Sequence, residues 1–208
     1  MNFLDLVRAR ESVRSYAPRR VQRDVVDRCL EAARLAPSAC NSQPWSFIVI
    51  ADDELRRKLA RKAFSGIYAM NAFAIDAPVL IVVMARRSTA AASLGGYFRR
   101  TKYSLIDIGI ACEHLVLQAA EEGLGTCWLG WFNEGAVKKL LKLPRLARIP
   151  VIISMGYPDG KGNRDKKRKS LDDIRRYVET GRRGLGESIV RRFRKKGSEP
   201  AAKGKSPG

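Results

Sequence analysis

The chain has a single histidine, His114, and its four cysteines form no C-x-x-C pair. Zinc sites draw on closely spaced ligand pairs, so this composition argues against a metal centre. The lone histidine argues equally against a Ser-His-Asp relay. No run of about 18 apolar residues exists, so no membrane span is expected. The N-terminus carries Asp5 and reaches Arg8 and Arg10 too early for a secretory signal, which points to the cytoplasm. In such a reducing compartment Cys29, Cys40, Cys112 and Cys127 are expected to be buried free thiols. A dinucleotide fingerprint is missing too. Gly123-Leu124-Gly125 follows a helical pattern and precedes a strand, whereas that fingerprint runs strand, glycines, helix; this is a helix C-cap. Internal repeats are absent, and acidic residues are scarce: 40 Lys and Arg face 21 Asp and Glu, a net charge of +19.

What is present suffices for one core plus a tail: 208 residues, 45% of them hydrophobic. The charge is uneven. From Lys161 onward seventeen Lys and Arg face six Asp and Glu, the mark of a solubilising tail or a loose polyanion contact. Asn2 is placed to cap a short helix through Ala9. Residues 21–36 are amphipathic, and Asp52 or Asp53 caps a helix over 54–64 with a basic outer face. Residues 65–77 read as a partly exposed loop or short helix, and 86–103 as a lid or crossing helix. Residues 103–122 form the most apolar helix, which is therefore central, with His114 as a packing residue. Strands are expected at 47–50, 78–85, 126–132 and 150–158, the second apolar on both faces and so internal and the last ending in a turn. Asn133 caps a helix over 136–143 closed by Pro144. Ser170-Leu171-Asp172-Asp173 is a capping-box variant with Asp in the N3 place. Residues 181–208 read as disordered, apart from a candidate basic amphipathic helix at 185–193.

Three stretches carry candidate chemistry. Arg10, Ser12 and Arg14 alternate, so an extended chain turns them to one side. Two guanidiniums flanking a hydroxyl suit a phosphate, and a solvated basic strand would look the same. Between Pro37 and Pro44 lie Ser38, Cys40, Asn41, Ser42 and Gln43, either a well-made turn or a site. Gly130, read as lying within a strand, marks close approach of a ligand or another backbone.

These stretches occur in the order of one family. Arg10-x-Ser12-x-Arg14-x-Tyr16 followed by Ala36-Pro37-Ser38-x-x-Asn41-x-Gln43-Pro44-Trp45-x-Phe47 resembles the N-terminal signature of the FMN-dependent nitroreductase family. Asp107-Ile108-Gly109-Ile110-Ala111, Gly123-Leu124-Gly125-Thr126-Cys127-Trp128, Ile149-Pro150-Val151 and Gly156-Tyr157-Pro158 extend the match over roughly residues 3–180. The resemblance implies an α+β fold: a three-layer α/β/α sandwich around a mixed, mostly antiparallel sheet, in a domain-swapped homodimer with two FMN sites between subunits. It divides the chain into an FMN-binding domain, 1–181, and a basic tail, 182–208, without a family counterpart. It implies that Arg10, Ser12, Lys166 and Arg168 hold the FMN phosphate, with Glu11 in the same cofactor-binding segment. Arg14 would stand by the N1–O2 edge of the flavin and favour the anionic reduced ring. Pro37, Ser38, Ala39 and Asn41 would come from the second subunit, Leu129 and Gly130 would offer backbone N–H groups to N5 and O4, and Asn71 would meet the pyrimidine edge. Where some members carry a second basic residue after the Asn71 position, this chain has Ala72-Phe73-Ala74-Ile75, so Arg14 acts alone.

The activity implied is hydride transfer from NADH or NADPH through flavin N5 to a small acceptor, such as a nitroaromatic or quinone, by ping-pong kinetics. The cofactor carries the chemistry and no side chain is a catalytic nucleophile. Residues 64–73 and 95–103 would face the acceptor. The alternatives are a flavoenzyme of the same fold with other chemistry (reductive dehalogenation, dehydrogenation or flavin fragmentation) and a non-catalytic flavin- or nucleic-acid-binding protein using the basic tail.

Overall fold

A computed structural model describes residues 1–86, 101–160, 166–175 and 177 of the chain. The expected lid at 86–103, most of the acceptor-facing residues 95–103, the helix at 185–193 and the tail from 182 fall largely or wholly outside these residues. The chain divides into two compact units, Met1–Arg164 and Asp165–Gly208.

The first unit is built on four antiparallel strands: β1 (Trp45–Ile50), β2 (Val79–Ala85), β3 (Gly125–Leu129) and β4 (Arg148–Gly156), in the order β1-β2-β4-β3. A short parallel bridge from Ser12 to Thr126 adds the mixed character the resemblance implies. β2 lies inside the sheet, and Val79, Leu80, Ile81, Val82 and Val83 are all buried. Its odd-numbered side chains join one core and its even-numbered ones the other, as strand alternation requires. Burying each such side chain contributes about 1.5–3 kcal/mol.

Helices cover both faces. On one lie α2 (Arg23–Arg34) and α4 (Tyr103–Glu121), in contact through Cys29, Ala33, Ala111, Cys112, Leu115 and Ala119. Their small residues permit a close approach. His114 bridges the two helices, its Nδ1 3.2 Å from the Ala32 carbonyl oxygen, as a packing residue would. On the other face lie α3 (Asp53–Ala63), a 3-10 helix (Gly66–Asp76) and α5 (Glu134–Leu140). Arg56, buried in α3, donates to the Ile75 carbonyl and to Asp53 and so ties down the 3-10 helix. α1 (Phe3–Ala9) lies against α4, with Asn2 capping it as expected.

Local stop signals account for the boundaries. α4 ends on Gly123 at φ 74°, with Leu124 N–H on Ala119 O and Gly123 N–H on Ala120 O. That is the Schellman pattern expected of a helix C-cap. α5 closes the same way with Lys142 at φ 54°, Leu143 N–H on Lys138 O and Lys142 N–H on Lys139 O. It therefore begins and stops earlier than the 136–143 read from the sequence, before Pro144 is reached. Pro150 lies inside β4, where Met84 alone stands opposite Ile149 and Pro150. A bulge is where a strand tolerates a residue without an N–H.

Two local expectations are corrected. β3 stops at Leu129, so Gly130 follows the strand and is not inside it; residues 130–132 are drawn off by hydrogen bonds to the 3-10 helix. Cys40 is exposed, because it occupies a left-handed turn (φ 51°), while Cys29, Cys112 and Cys127 are buried. Burial pushes the Cys29 and Cys112 thiols up to about 12. In the second unit α6 (Leu171–Ile174) opens on the expected capping box between Ser170 and Asp173.

Candidate functional site

Residues 12–17 pass the outer edge of β3 and the end of β4. Val13 N–H donates to Thr126 O at 2.9 Å, and Ala17 N–H to Tyr157 O at 2.9 Å. The Ser15 hydroxyl donates to Asp159. Tyr16 is buried, its hydroxyl on Val13 O at 2.9 Å and 2.7 Å from Ser154 Oγ. Burial raises the Tyr16 pKa, so this phenol stays a neutral structural group. The segment fits because two glycines stand directly opposite each other beneath it, Gly125 and Gly156. A Cβ on Gly125 would lie 2.4 Å from Val13 Cγ2, and one on Gly156 2.3 Å from Pro78 Cδ and 2.9 Å from Tyr16 Cδ1.

With Val13 turned into the core, Ser12 and Arg14 are exposed and Arg10 and Glu11 half-buried. Arg10 Nε comes within 4.0 Å of Glu113 Oε1 on α4. Arg14 is near enough to Cys127 for its charge to favour the thiolate there, although burial dominates and raises that thiol. β3 runs on past this segment, from the bridged Thr126 to Leu129. Leu129 is fully buried, Gly130 is exposed, and a Cβ on Gly130 would meet nothing within 4 Å. Asn71 Nδ2 donates to Trp131 O at 2.9 Å, and Trp131 Nε1 to Ile67 O at 2.9 Å. The Tyr68 and Trp131 rings meet at a tilt of 50° with 5.2 Å between centroids. The 3-10 helix is thereby fastened to the loop that carries Gly130.

Pro37, Ser38, Ala39 and Asn41 lie elsewhere. Their loop leads into β1, the opposite edge of the sheet from β3. Three inter-strand spacings separate the two edges, roughly 14 Å. Cys40, Asn41 and Gln43 have φ of 51°, 49° and 42°, left-handed values uncommon outside glycine. Gln43 N–H donates to Ser38 Oγ at 3.0 Å, and Ala39 N–H to Asp107 Oδ1 on α4 at 3.1 Å.

One chain thus places Ser12 and Val13, between Arg10 and Arg14, against the start of β3, Leu129 and Gly130 at its end with Asn71 bonded to the following Trp131, and residues 37–41 on the loop into the opposite sheet edge. Lys166 and Arg168 belong to the second unit, where Arg168 donates to Lys167 O. Sequence reasoning passed over Gly125, Gly156 and Asp107 as functional parts. The glycines' signal exists only in the register that pairs them; the signal of Asp107 was a carboxylate on the most apolar helix.

Such an arrangement defines a three-layer α+β protein with a cationic, glycine-bordered sheet edge. The family model for the nitroreductase family matches residues 7–72 and 68–157. A Methanothermobacter thermautotrophicus protein provisionally named an NADH dehydrogenase/NAD(P)H nitroreductase is 30% identical over 171 residues, 79% of this chain and 82% of that one. An iodotyrosine deiodinase of Thermotoga neapolitana is 26% identical over 175 residues, 74% of this chain and 88% of that one. Among solved structures, an FMN-dependent nitroreductase from Clostridium difficile is 28% identical with a TM-score of 0.63, covering 82% of this chain and 94% of the other. The chain belongs to the nitroreductase family, a family of oxidoreductases. Among the described residues no helix is long and apolar enough to cross a membrane.

Proposed function

We propose that this chain is an FMN-dependent oxidoreductase acting on NADH or NADPH and a small electron acceptor. The observation that carries this reading is the 10–14 segment, fixed by main-chain bonding to Thr126 of β3, with an unobstructed Gly130 just past the end of that strand. A planar, anionic cofactor fits there on chemical grounds. Ser12 and the guanidiniums of Arg10 and Arg14 supply donors for a phosphate and a ring edge, Leu129 and Gly130 supply backbone, and the absence of a Cβ on Gly130 leaves room for a ring face. Bound FMN would supply hydride exchange at N5, first with the nicotinamide donor and then with an acceptor such as a nitroaromatic or quinone.

The chain's own groups then have distinct tasks. Arg10 and Ser12 hold the phosphate. Arg14 places a fixed positive charge where negative charge develops, which lowers the barrier. Asn71, already donating through Nδ2, offers Oδ1 to the pyrimidine edge. Pro37, Ser38, Ala39 and Asn41 act on the FMN of a second subunit in a homodimer. Two observations support that division: the roughly 14 Å between the sheet edges, and an apolar surface at Phe3, Leu4, Leu35, Leu105 and Ile106 on the α1–α2–α4 side.

The deiodinase relative favours one second reading, reductive dehalogenation by the same site. Anaerobic titration of the purified yellow protein with NADH and NADPH, followed by nitroaromatic, quinone and halotyrosine acceptors, decides between the two. Bleaching by a nicotinamide and recovery with a nitroaromatic or quinone supports the first; recovery only with a halotyrosine supports the second. A colourless protein that takes up no FMN overturns both.

A further inference from the structure

Helix α4 is apolar around most of its circumference, yet it carries Asp107, a carboxylate only 4% exposed. Oδ1 accepts the Ala39 N–H at 3.1 Å, a contact spanning 68 residues of chain. Among the described residues Oδ2 is buried without a hydrogen-bond partner. A carboxylate is costly to bury, so the fold retains it against a penalty.

The segment it holds needs holding. Cys40, Asn41 and Gln43 all have left-handed backbone angles, and such a conformation persists only where its surroundings impose it. The loop's other bonds are local: Asn41 N–H to Ser38 O at 3.0 Å, Ser42 N–H to Ala39 O at 3.1 Å and Gln43 N–H to Ser38 Oγ at 3.0 Å. Local bonds shape a turn without aiming it. Among the described residues the Asp107 bond is the one hydrogen bond that ties residues 37–43 to a distant part of the fold.

We infer that Asp107 is a positioning residue. Through the Ala39 N–H it aims the 37–41 loop so that the loop meets the FMN of a second subunit. This rests on the FMN reading above, and it adds a residue whose own side chain meets no cofactor. The charge is dispensable to that task, and the acceptor oxygen is essential.

Amide hydrogen exchange and FMN release, measured on the full-length protein with added FMN, test it. In the wild type the Ala39 amide should exchange at least about tenfold more slowly than an open loop amide. Asp107→Ala should speed exchange at Ala39 and release of FMN by about tenfold or more, with β2 and β4 peptides unchanged. Asp107→Asn, which keeps an acceptor oxygen, should restore both rates to within about threefold of wild type. Open-loop exchange of Ala39 in the wild type overturns the inference without any variant, and so applies even if Asp107→Ala does not fold. Wild-type exchange in Asp107→Ala overturns it as well, as does a loosened loop with unchanged FMN release. FMN uptake with an unprotected Ala39 sinks Asp107 alone. A protected Ala39 in a protein that takes up no FMN overturns the FMN reading, and with it the loop's assigned task.

Discussion

The two edges of the sheet are built differently. At the β3 edge, residues 12–17 are fixed by main-chain bonds, by the buried Tyr16 hydroxyl and by close contact with two glycines. At the β1 edge, residues 37–43 hold three left-handed residues, and among the described residues one hydrogen bond, to the Asp107 carboxylate, ties them to a distant part of the fold. One edge is a cast seat and the other is an arm on a single tether. The difference suits a site completed by two copies of the chain. On the proposed reading, the edge that would hold FMN needs rigidity, and the edge that would fit a second subunit needs an aim that can be set late in assembly.

The largest expected effect tests whether the seat holds FMN at all. Gly130→Val puts a branched side chain where a Cβ meets nothing of the protein itself. The fold should be indifferent and FMN should not. Affinity should fall by roughly a hundredfold or more, about 3 kcal/mol, with an unchanged melting temperature. Full FMN occupancy in this variant would count against the backbone role given to Leu129 and Gly130.

Gly125→Ala attacks the seat from beneath. Its Cβ would lie 2.4 Å from Val13 Cγ2 and 2.6 Å from Val13 Cβ, so the segment must lift and strain its bond to Thr126. Overpacking of this kind costs about 1–3 kcal/mol, read by denaturant unfolding. Adding Val13→Gly should return part of that loss, since the two sites are in contact and couple. Additive losses would mean that the close fit of the seat is not what stabilises it.

Much of this was legible in the sequence, for reasons that can be named. β2 declares itself as an unbroken apolar run, and caps such as Asn2, Asn133 and Ser170 are local chemistry that works within four residues. Gly123 was readable as a C-cap because helix, glycine and strand follow in that order. The bounds of β3 were not readable, since Trp131 is as strand-like as Trp128 and only its bonds with Ile67 and Asn71 take it off the sheet. Nor could the exposure of Cys40 be read: a cysteine between Ala and Asn looks buried until the turn acquires its left-handed φ. The roles of Gly125, Gly156 and Asp107 depend on partners far away in the chain, and spacing along one sequence does not encode them.

A smaller effect separates charge from shape at the seat. Arg14 is exposed and its side chain packs in neither core, so Arg14→Ala should leave the fold close to wild type. Reduction of the flavin by NAD(P)H should slow by about tenfold to a hundredfold, less than the loss of a fully preorganised oxyanion-hole donor costs, because Arg14 is exposed. An unchanged reduction rate in stopped flow would remove Arg14 from the chemistry and leave it as a surface cation.

The smallest effect concerns the tie between the elements leading to the two edges. Arg28 on α2 grips Glu122, at the end of α4, through Nε at 2.7 Å and Nη2 at 2.8 Å. α2 runs into the 37–43 loop, and α4 into β3. The Arg28 hydrogen bonds hold the Glu122 carboxyl below the usual glutamate range. A depressed folded-state pKa contributes stability that is fully present above the unfolded-state value and is lost as pH falls through the folded one. Stability of the wild type should therefore drop between about pH 5 and pH 3, and Glu122→Gln should drop less over that interval while being slightly less stable at pH 7. Because the pair is at the surface, added salt should shrink the difference between the two proteins. If the two stability curves run parallel below pH 5, the ion pair does not couple the two edges, and the packing of α2 on α4 through Cys29, Ala33, Ala111 and Cys112 holds them in register by itself.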